Sequence, residues 1–374
     1  MNAPNPPFCY YQGQLGINPD KIIYYQDGIL HINDSSQQAT PFEALELLEQ
    51  NCSSRMMGFF SFEFGLKLLN LPVRHQKCPD FYFIEPTEYL ETKFETIPSS
   101  QGGKKPESNL NEDQYNQKIA QIKNLLIHGE TYQVNFAQEL TMPTDLDALT
   151  LFQKLHTLNP SPHEAILVTE NFSIISNSPE SLFTKKAQQI STFPIKGTAP
   201  RDPDSIKDKQ NADNLFKSKK ETAELEMIVD LERNDLGQIA LPGTVKVSRH
   251  RYIESYQNVH HTISQIDATL PEETKFSQVI KALFPGGSIT GCPKKRTSKF
   301  IHELEPTPRG CYCGSLGFFD AQGNADFNIL IRTIFLQNNL ASFHAGGGIT
   351  IQSADTAEYA ETFHKARTII SVLQ

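Results

Sequence analysis

Residues 314–348 read GSLGFFDAQGNADFNILIRTIFLQNNLASFHAGGG. Three apolar strand-like runs, Gly314–Phe319, Asn328–Phe335 and Leu340–Ala345, follow one another here with only turns between them. Parallel neighbours need a crossover of a dozen or more residues, so this spacing requires antiparallel pairing. The same habit runs upstream, where Lys21–Tyr25, Phe81–Glu85, Tyr132–Leu140, Ser173–Ser176, Gln189–Phe193 and Val245–Val247 also read as strands. Helical stretches are fewer. They are Pro41–Asn51, the stripe Tyr115, Ile119, Ile122 and Leu126 closed by Gly129, then Leu149–Asn159, Asn211–Asn234, Phe276–Phe284, Pro293–Glu303 and Asp355–Leu373. Strands adjacent in sequence without regular helical crossovers predict an α+β class, antiparallel sheets with helices packed outside.

With 374 residues, 38% of them apolar, the chain has material for two ordinary domains or one large one. Residues 1–95 read as a β-rich N-terminal subdomain. Residues 96–110, rich in Ser, Gly, Lys, Pro and Asn, read as a surface linker too polar to bury itself, and 111–374 as the domain that carries the chemistry. The formal charge is −9, from 34 Lys+Arg against 43 Asp+Glu. Basic blocks are short, pairs such as Lys104-Lys105 and Lys219-Lys220 and the run Lys294-Lys295-Arg296, which argues against nucleic acid as the main partner. An anionic substrate must therefore be held by local donors and a metal, against the long-range field. The six cysteines lack CxxC spacing, and the polar, proline-bearing start resembles no signal peptide. No run reaches the roughly 20 apolar residues of a membrane helix, so a soluble protein of the reducing cytoplasm is expected.

Helical spacing puts Glu221 with Glu224, and Glu358 with Glu361, on single helix faces. Four carboxylates around one cavity repel unless a divalent cation sits among them, and Mg²⁺ suits a few carboxylates plus water and substrate oxygen. A solvated helix face is the plain alternative. Gly286 and Gly291 have phosphate-loop spacing, but Cys292 stands where the lysine belongs, so a nucleotide site is rejected. Those glycines, with Pro293 opening a helix, and Gly346, Gly347 and Gly348 after a strand, predict backbone N–H cradles for an anion, or else ordinary tight turns. Arg332 offers a fork to a carboxylate, or a surface ion pair. Lys196, between an apolar strand end and Gly197, is the candidate nucleophile, because burial lowers an amine's pKa from ~10.4 and frees its lone pair. An unperturbed lysine is neutral at pH 7 only about once in 2,500 molecules. Glu180, on a turn after a strand, is the candidate acid, and His261 a hydrogen-bonding residue.

Taken together, GETYQVN (129–135), SPE (178–180), PIKGT (194–198), IVDLERND (228–235), FPGGSITGCPK (284–294), IRT (331–333) and AGGGI (345–349) resemble the chorismate-utilising enzymes. The likeness covers roughly residues 111–374 and implies a large sandwich of antiparallel β-sheets with helices outside. Gln133, where isochorismate-forming members place a lysine, implies amine transfer. Lys196, where anthranilate-forming members usually place alanine, implies the aminodeoxychorismate-forming branch that supplies p-aminobenzoate and folate. The rivals are anthranilate formation and a catalytically silent chorismate binder. The resemblance further implies Mg²⁺ on Glu224 and Glu361 with Glu221 and Glu358, and Lys196 and Glu180 as catalytic residues. Gln133, Thr198, His261, Thr290, Tyr312, Arg332, Gly346, Gly347, Gly348 and Lys365 are the implied substrate contacts. It also implies ammonia from a separate glutamine amidotransferase subunit, and residues 198–214 as a mobile cover. The Leu-Leu-Glu-Ser run of tryptophan-binding members is absent.

Overall fold

The computed structural model describes residues 4–92, 94, 97, 105–353 and 355–374. Its N-terminal part carries β1 (Phe8–Tyr11), β2 (Gln14–Gln26), β3 (Ile29–Ile32), β4 (Ser35–Gln38), α1 (Pro41–Gln50), β5 (Arg55–Phe60), α2 (Phe62–Leu68) and β6 (Phe81–Glu91). Next come β7 (Glu107–Ser108), α3 (Glu112–Ile127), β8 (Gln133–Pro143), α4 (Ala148–Leu158), β9 (His163–Val168), β10 (Ser173–Ser178), β11 (Ser181–Lys186), β12 (Gln189–Thr192) and β13 (Ile195–Pro200). The middle holds α5 (Ser205–Lys217), α6 (Lys219–Gly237), β14 (Lys246–Ser255), β15 (Val259–Thr269), α7 (Phe276–Leu283), β16 (Gly291–Cys292) and α8 (Lys294–Leu304). The last part is β17 (Ser315–Asp320), β18 (Ala325–Asn328), β19 (Thr333–Gln337), β20 (Leu340–Ile349) and α9 (Asp355–Val372).

Every strand pairing among the described residues is antiparallel, as the spacing predicted. The pairings run β8, β20, β19, β10, β9, β1, then β2, β6, β5, β17, β18, β11, β12, β15 and β14. β13 joins β15 beyond β12, and β16 adds two residues to the start of β8. β1 lies between β9 and β2, and β5 between β6 and β17, so segments before and after the expected linker share one array. Of that linker, residues 96 and 98–104 lie outside the described residues. Its end is placed: Glu107–Ser108 pairs with β8, and Leu110 is buried. Among the described residues no helix is long and apolar enough to cross a membrane.

Aromatic side chains from distant strands fill the main core. Phe60, Phe81, Phe83 and Phe327 meet Phe276 of α7 there, all buried. Burying such rings stabilises by roughly 1.5–3 kcal/mol each and welds the N-terminal strands to the C-terminal ones. α6 packs against β13 and β15, α9 against β20, and these two placements build the site.

Two local expectations are corrected. The single helix expected over Asn211–Asn234 is two, α5 and α6, because Ser218 leaves helical geometry and its hydroxyl accepts the Glu221 N–H as an N-cap. The single strand expected over Asn328–Phe335 breaks between β18 and β19, and Arg332 sits in the break at φ 51°. The segment 198–214, expected as a mobile cover, carries the end of β13 to Pro200 and α5 from Ser205.

A buried ion pair ties the layers together. The Arg309 guanidinium donates to both Glu305 carboxylate oxygens at 2.7 and 2.8 Å, to the Asn135 carbonyl at 2.7 Å and to the Ile289 carbonyl at 3.0 Å. Glu305 also accepts the Ala137 N–H at 2.9 Å. Removing one partner of such a pair strands the other charge, so Arg309→Met is expected to cost about 3–5 kcal/mol. Urea unfolding checks this, with Lys299→Ala as control. Lys299 faces Glu303 in an exposed pair at 3.7 Å, and its loss is expected to cost about 1 kcal/mol or less.

Candidate active site

β20 carries the wall from which the site is built. It pairs with β8 along its whole length, but β19 covers only Leu340–Ser342 on the other edge, which leaves Phe343–Ile349 open on that side. A cavity of about 180 Å³ lies there. Of the residues expected to act, Glu180, Lys196, Tyr312, Arg332, Gly346, Gly347, Gly348 and Lys365 line it. The glycines are required by close approach. A methyl group on Gly348 would stand 2.6 Å from the Gln133 amide nitrogen, and one on Gly346 would stand 2.2 Å from the Phe136 carbonyl oxygen.

Lys196 lies on β13 beside Gly197, whose φ of 84° turns the strand under α6. Burial holds its amine below the ordinary lysine value, although the nearby Glu224 and Glu180 carboxylates favour the charged form. Glu180, buried in the turn between β10 and β11, moves the other way. Burial raises its pKa against the pull of the Ser288 hydroxyl and Lys196, and its Oε1 has no hydrogen-bond partner. An amine shifted toward neutrality and a carboxyl shifted toward protonation therefore share one cavity, a nucleophile with an acid.

Arg332 is displayed by the break between β18 and β19 rather than by a strand. Its left-handed backbone, sparsely populated for a side chain of this size, directs the guanidinium to the cavity near Glu180. Tyr312 is buried and stacks on His344 at 5.2 Å; burial keeps its phenol protonated as a donor. Lys365 donates to the Gly346 carbonyl at 3.0 Å and to Glu361 at 2.8 Å.

The remaining expected residues sit behind the lining. Gln133 is fully buried against Gly348, with neither amide atom hydrogen-bonded. The Thr290 hydroxyl donates to the Gly286 carbonyl at 2.9 Å. Thr198 and His261 face each other across β13 and β15, with Oγ1 and Nδ1 3.0 Å apart. Burial, then Arg332, pushes His261 down to about 4, so it is neutral at pH 7. The expected cradle at the start of α8 is not in the cavity: Pro293 and Lys294 line a different hollow, while Gly291–Cys292 pairs with β8.

Glu221 reaches Gly197, and Glu224 faces Lys196, both from α6. Glu358 and Glu361 reach Gly347 from α9, their oxygens 3.6 and 3.8 Å from a methyl group built there. Glu224 is close enough to Glu358 for their charges to interact, and its pKa is raised, chiefly by burial. Among the described residues these carboxylates do not converge into a ready group of three or more metal ligands. They do fit a divalent cation in their chemistry, since Glu224 Oε1 is buried without a hydrogen-bond partner, in the state a cation satisfies.

Three polar lining residues were not among the expected contacts: Asn135, Ser288 and His344. The signal for His344 was available, because it alternates with Gly346 and Gly348 on one side of β20. Asn135 shares the polar face of its strand with Gln133, as period-2 alternation marks, while nothing local marks the direction of Ser288.

Comparison with known proteins gives the family. The family model described as chorismate binding enzyme matches residues 88–371. The aminodeoxychorismate synthase component 1 of Escherichia coli (strain K12) is 43% identical over 268 residues, covering 72% of this chain and 59% of that protein. The protein of the same name from Bacillus subtilis (strain 168) is 40% identical, covering 68% and 54%. Anthranilate synthase component 1 of Saccharolobus solfataricus is 37% identical, covering 70% and 62%. The chain thus spans just under two thirds, or less, of the length of these relatives. In fold it is similar to anthranilate synthase component I from Streptococcus pneumoniae TIGR4, with a TM-score of 0.83 at 24% identity, covering 98% of this chain and 93% of that one. The chain therefore belongs to the chorismate binding enzyme family.

Proposed function

We propose that this chain aminates chorismate at C4, giving 4-amino-4-deoxychorismate with the pyruvate retained, as aminodeoxychorismate synthase component I. The observation that carries this reading is the pairing of the Lys196 amine with the Glu180 carboxyl in one cavity, each displaced by burial toward its reactive protonation state. The Escherichia coli and Bacillus subtilis relatives that bear this name support it. Neutral Lys196 attacks the ring at C2 while protonated Glu180 gives its proton to the C4 hydroxyl, which departs as water. Ammonia then bonds to C4, the C2–nitrogen bond breaks and the Lys196 amine is released. Two easier displacements replace one difficult one.

Arg332 and Tyr312 hold the enolpyruvyl carboxylate, with the N–H groups of Gly346, Gly347 and Gly348 at the open edge of β20. Gln133, Thr198, His261, Thr290 and Lys365 complete the substrate surroundings. Glu224 and Glu361, with Glu221 and Glu358, are the residues that would hold Mg²⁺. When bound, it neutralises the ring carboxylate of chorismate. Ammonia comes from a separate glutamine amidotransferase subunit, and the setting is cytoplasmic p-aminobenzoate and folate synthesis.

Product analysis tests the reading. With chorismate, Mg²⁺ and ammonium, the expected product yields p-aminobenzoate only after a lyase is added. Fluorescent anthranilate would assign the chain to the other amination, and no turnover would make it a binder. Lys196→Ala is expected to abolish a chorismate-derived mass adduct on the protein and to remove most activity. Two opposite ionisations are expected in the rate: it falls at low pH as the amine gains a proton, and at high pH as the acid loses one. Glu180→Gln is expected to slow turnover and to remove the alkaline fall, as a pH–rate profile will read. Glu361→Gln is expected to raise the Mg²⁺ concentration needed for half-maximal rate by roughly ten-fold or more, equivalent to about 1.4 kcal/mol.

A further inference from the structure

The strand wall of the candidate site does not end with the catalytic cavity. Along β8 and β20, Asn135 stands opposite Gly348, Ala137 opposite Gly346, Glu139 opposite His344 and Thr141 opposite Ser342. Paired residues share a face, and each successive pair on that face lies about 6.8 Å further along. This face is therefore one straight trough. At one end Asn135 and the glycines border the catalytic cavity, and at the other Glu139, Ser342 and His344 border a second cavity of about 300 Å³. Tyr312 and His344 line both, and their rings stack at 5.2 Å with 12° between the planes. The stack is the partition between the two. Further out, the second cavity shares His75, Gln76 and Cys78 with a hollow of about 240 Å³ that the exposed Asp27 borders.

Two polar atoms along the trough, His344 Nε2 and Asn135 Oδ1, are removed from solvent and have no hydrogen-bond partner in the protein. Buried polar atoms are seldom left so, and these call for a partner the chain does not supply. Burial, then Arg309 and Lys77, pushes His344 down to about 3, so the ring is neutral at pH 7. The second cavity does not suit an anion. Its Arg309 is committed to Glu305, Asn135 and Ile289, and its Lys77 pairs with Glu139 at 3.8 Å. Cys78, Pro308, Cys311, Phe335 and Phe343 make much of the remaining wall apolar. Such a passage refuses a dicarboxylate and admits a small neutral molecule, and ammonia, with three N–H donors and a lone pair, answers both unpaired atoms. Chorismate in the cavity of about 180 Å³ occupies the reaction space, so the second reactant needs an approach of its own.

We propose that the second cavity is the antechamber through which ammonia reaches the catalytic cavity, with His344 as its hydrogen-bonding partner at the partition; this rests on the amination reading above. Ammonium arriving from solution leaves its proton with water at the outer end, and neutral ammonia moves inward. The bond it then forms at C4, and the lysine amine it releases, are those already given.

The order of steps supplies the test, because the Lys196 adduct forms before ammonia is used. Ser342→Leu fills the antechamber behind the stack. His344→Phe keeps a ring against Tyr312 and removes its nitrogens. Each is expected to raise KM for ammonium roughly ten-fold, with the chorismate concentration for half-maximal adduct formation unchanged. By mass spectrometry the adduct should be at least as abundant as in the wild type, and ammonium should discharge it more slowly. Should Ser342→Leu fail to fold, as a thermal melt reads, His344→Phe decides alone. A wild-type ammonium dependence in the folded variants, or a fall in adduct that parallels the loss of turnover, overturns the route. A wild type that forms neither adduct nor aminated product sinks the amination reading instead, and the route with it.

Discussion

A guanidinium deep in the protein, Arg309, fixes the distance between the strand wall and the loop that closes the site. Its donors reach the carbonyl of Asn135 on β8 and that of Ile289, while Glu305 at the end of α8 holds its charge and takes the Ala137 N–H. Its own backbone N–H goes to Glu63 of α2, so the N-terminal part is anchored to the same point. Asn135, Ser288 and Ile289 all border the cavity, and this side chain, together with the Asn135 N–H on the Thr290 carbonyl, holds the strand to the loop. Burying an ion pair gains little net stability over apolar packing. What it supplies here is a single geometry for polar backbone that water cannot satisfy.

In the candidate site burial and charge pull in opposite directions on the same groups. Desolvation drives Lys196 toward the free amine and Glu180 toward the acid, while their mutual attraction draws both back toward ions. Neither force alone prepares a nucleophile beside an acid. Burial without the carboxylates would leave a lysine free of any acid partner, and the carboxylates without burial would hold it as an inert ammonium. Glu224 belongs to the same balance, since it interacts with both Lys196 and Glu358 and so couples the two acid-bearing helices.

Glycine and strain shape the other wall. Gly346 and Gly348 let β20 press against β8 and Gln133 at separations no side chain tolerates, and this keeps a polar strand edge facing the cavity. Across from it, Arg332 takes a left-handed backbone that interrupts a strand. Such a conformation costs about 1–3 kcal/mol and persists where surrounding structure fixes it. The flanking pairings, β19 with β10 and β18 with β11, supply that frame.

Strand spacing alone determined the antiparallel, helix-covered class, because turns too short for a crossover leave no parallel alternative. The acid pairs on α6 and α9 and the caps of α1 and α3 were equally legible, since helical period and capping chemistry are local. The break at Ser218 was legible in principle too, a capping serine three residues before Glu221, but it sits in the polar run Lys217–Lys220 with no glycine or proline to mark a stop. Only tertiary structure decided which expected residues share the cavity. Lys365, Tyr312 and Lys196 come from separate elements, and whether Thr290 or Gln133 lies in the lining or behind it depends on strand register. The burial that shifts Lys196 and Glu180 is likewise a property of everything packed around them, and no window of sequence contains it.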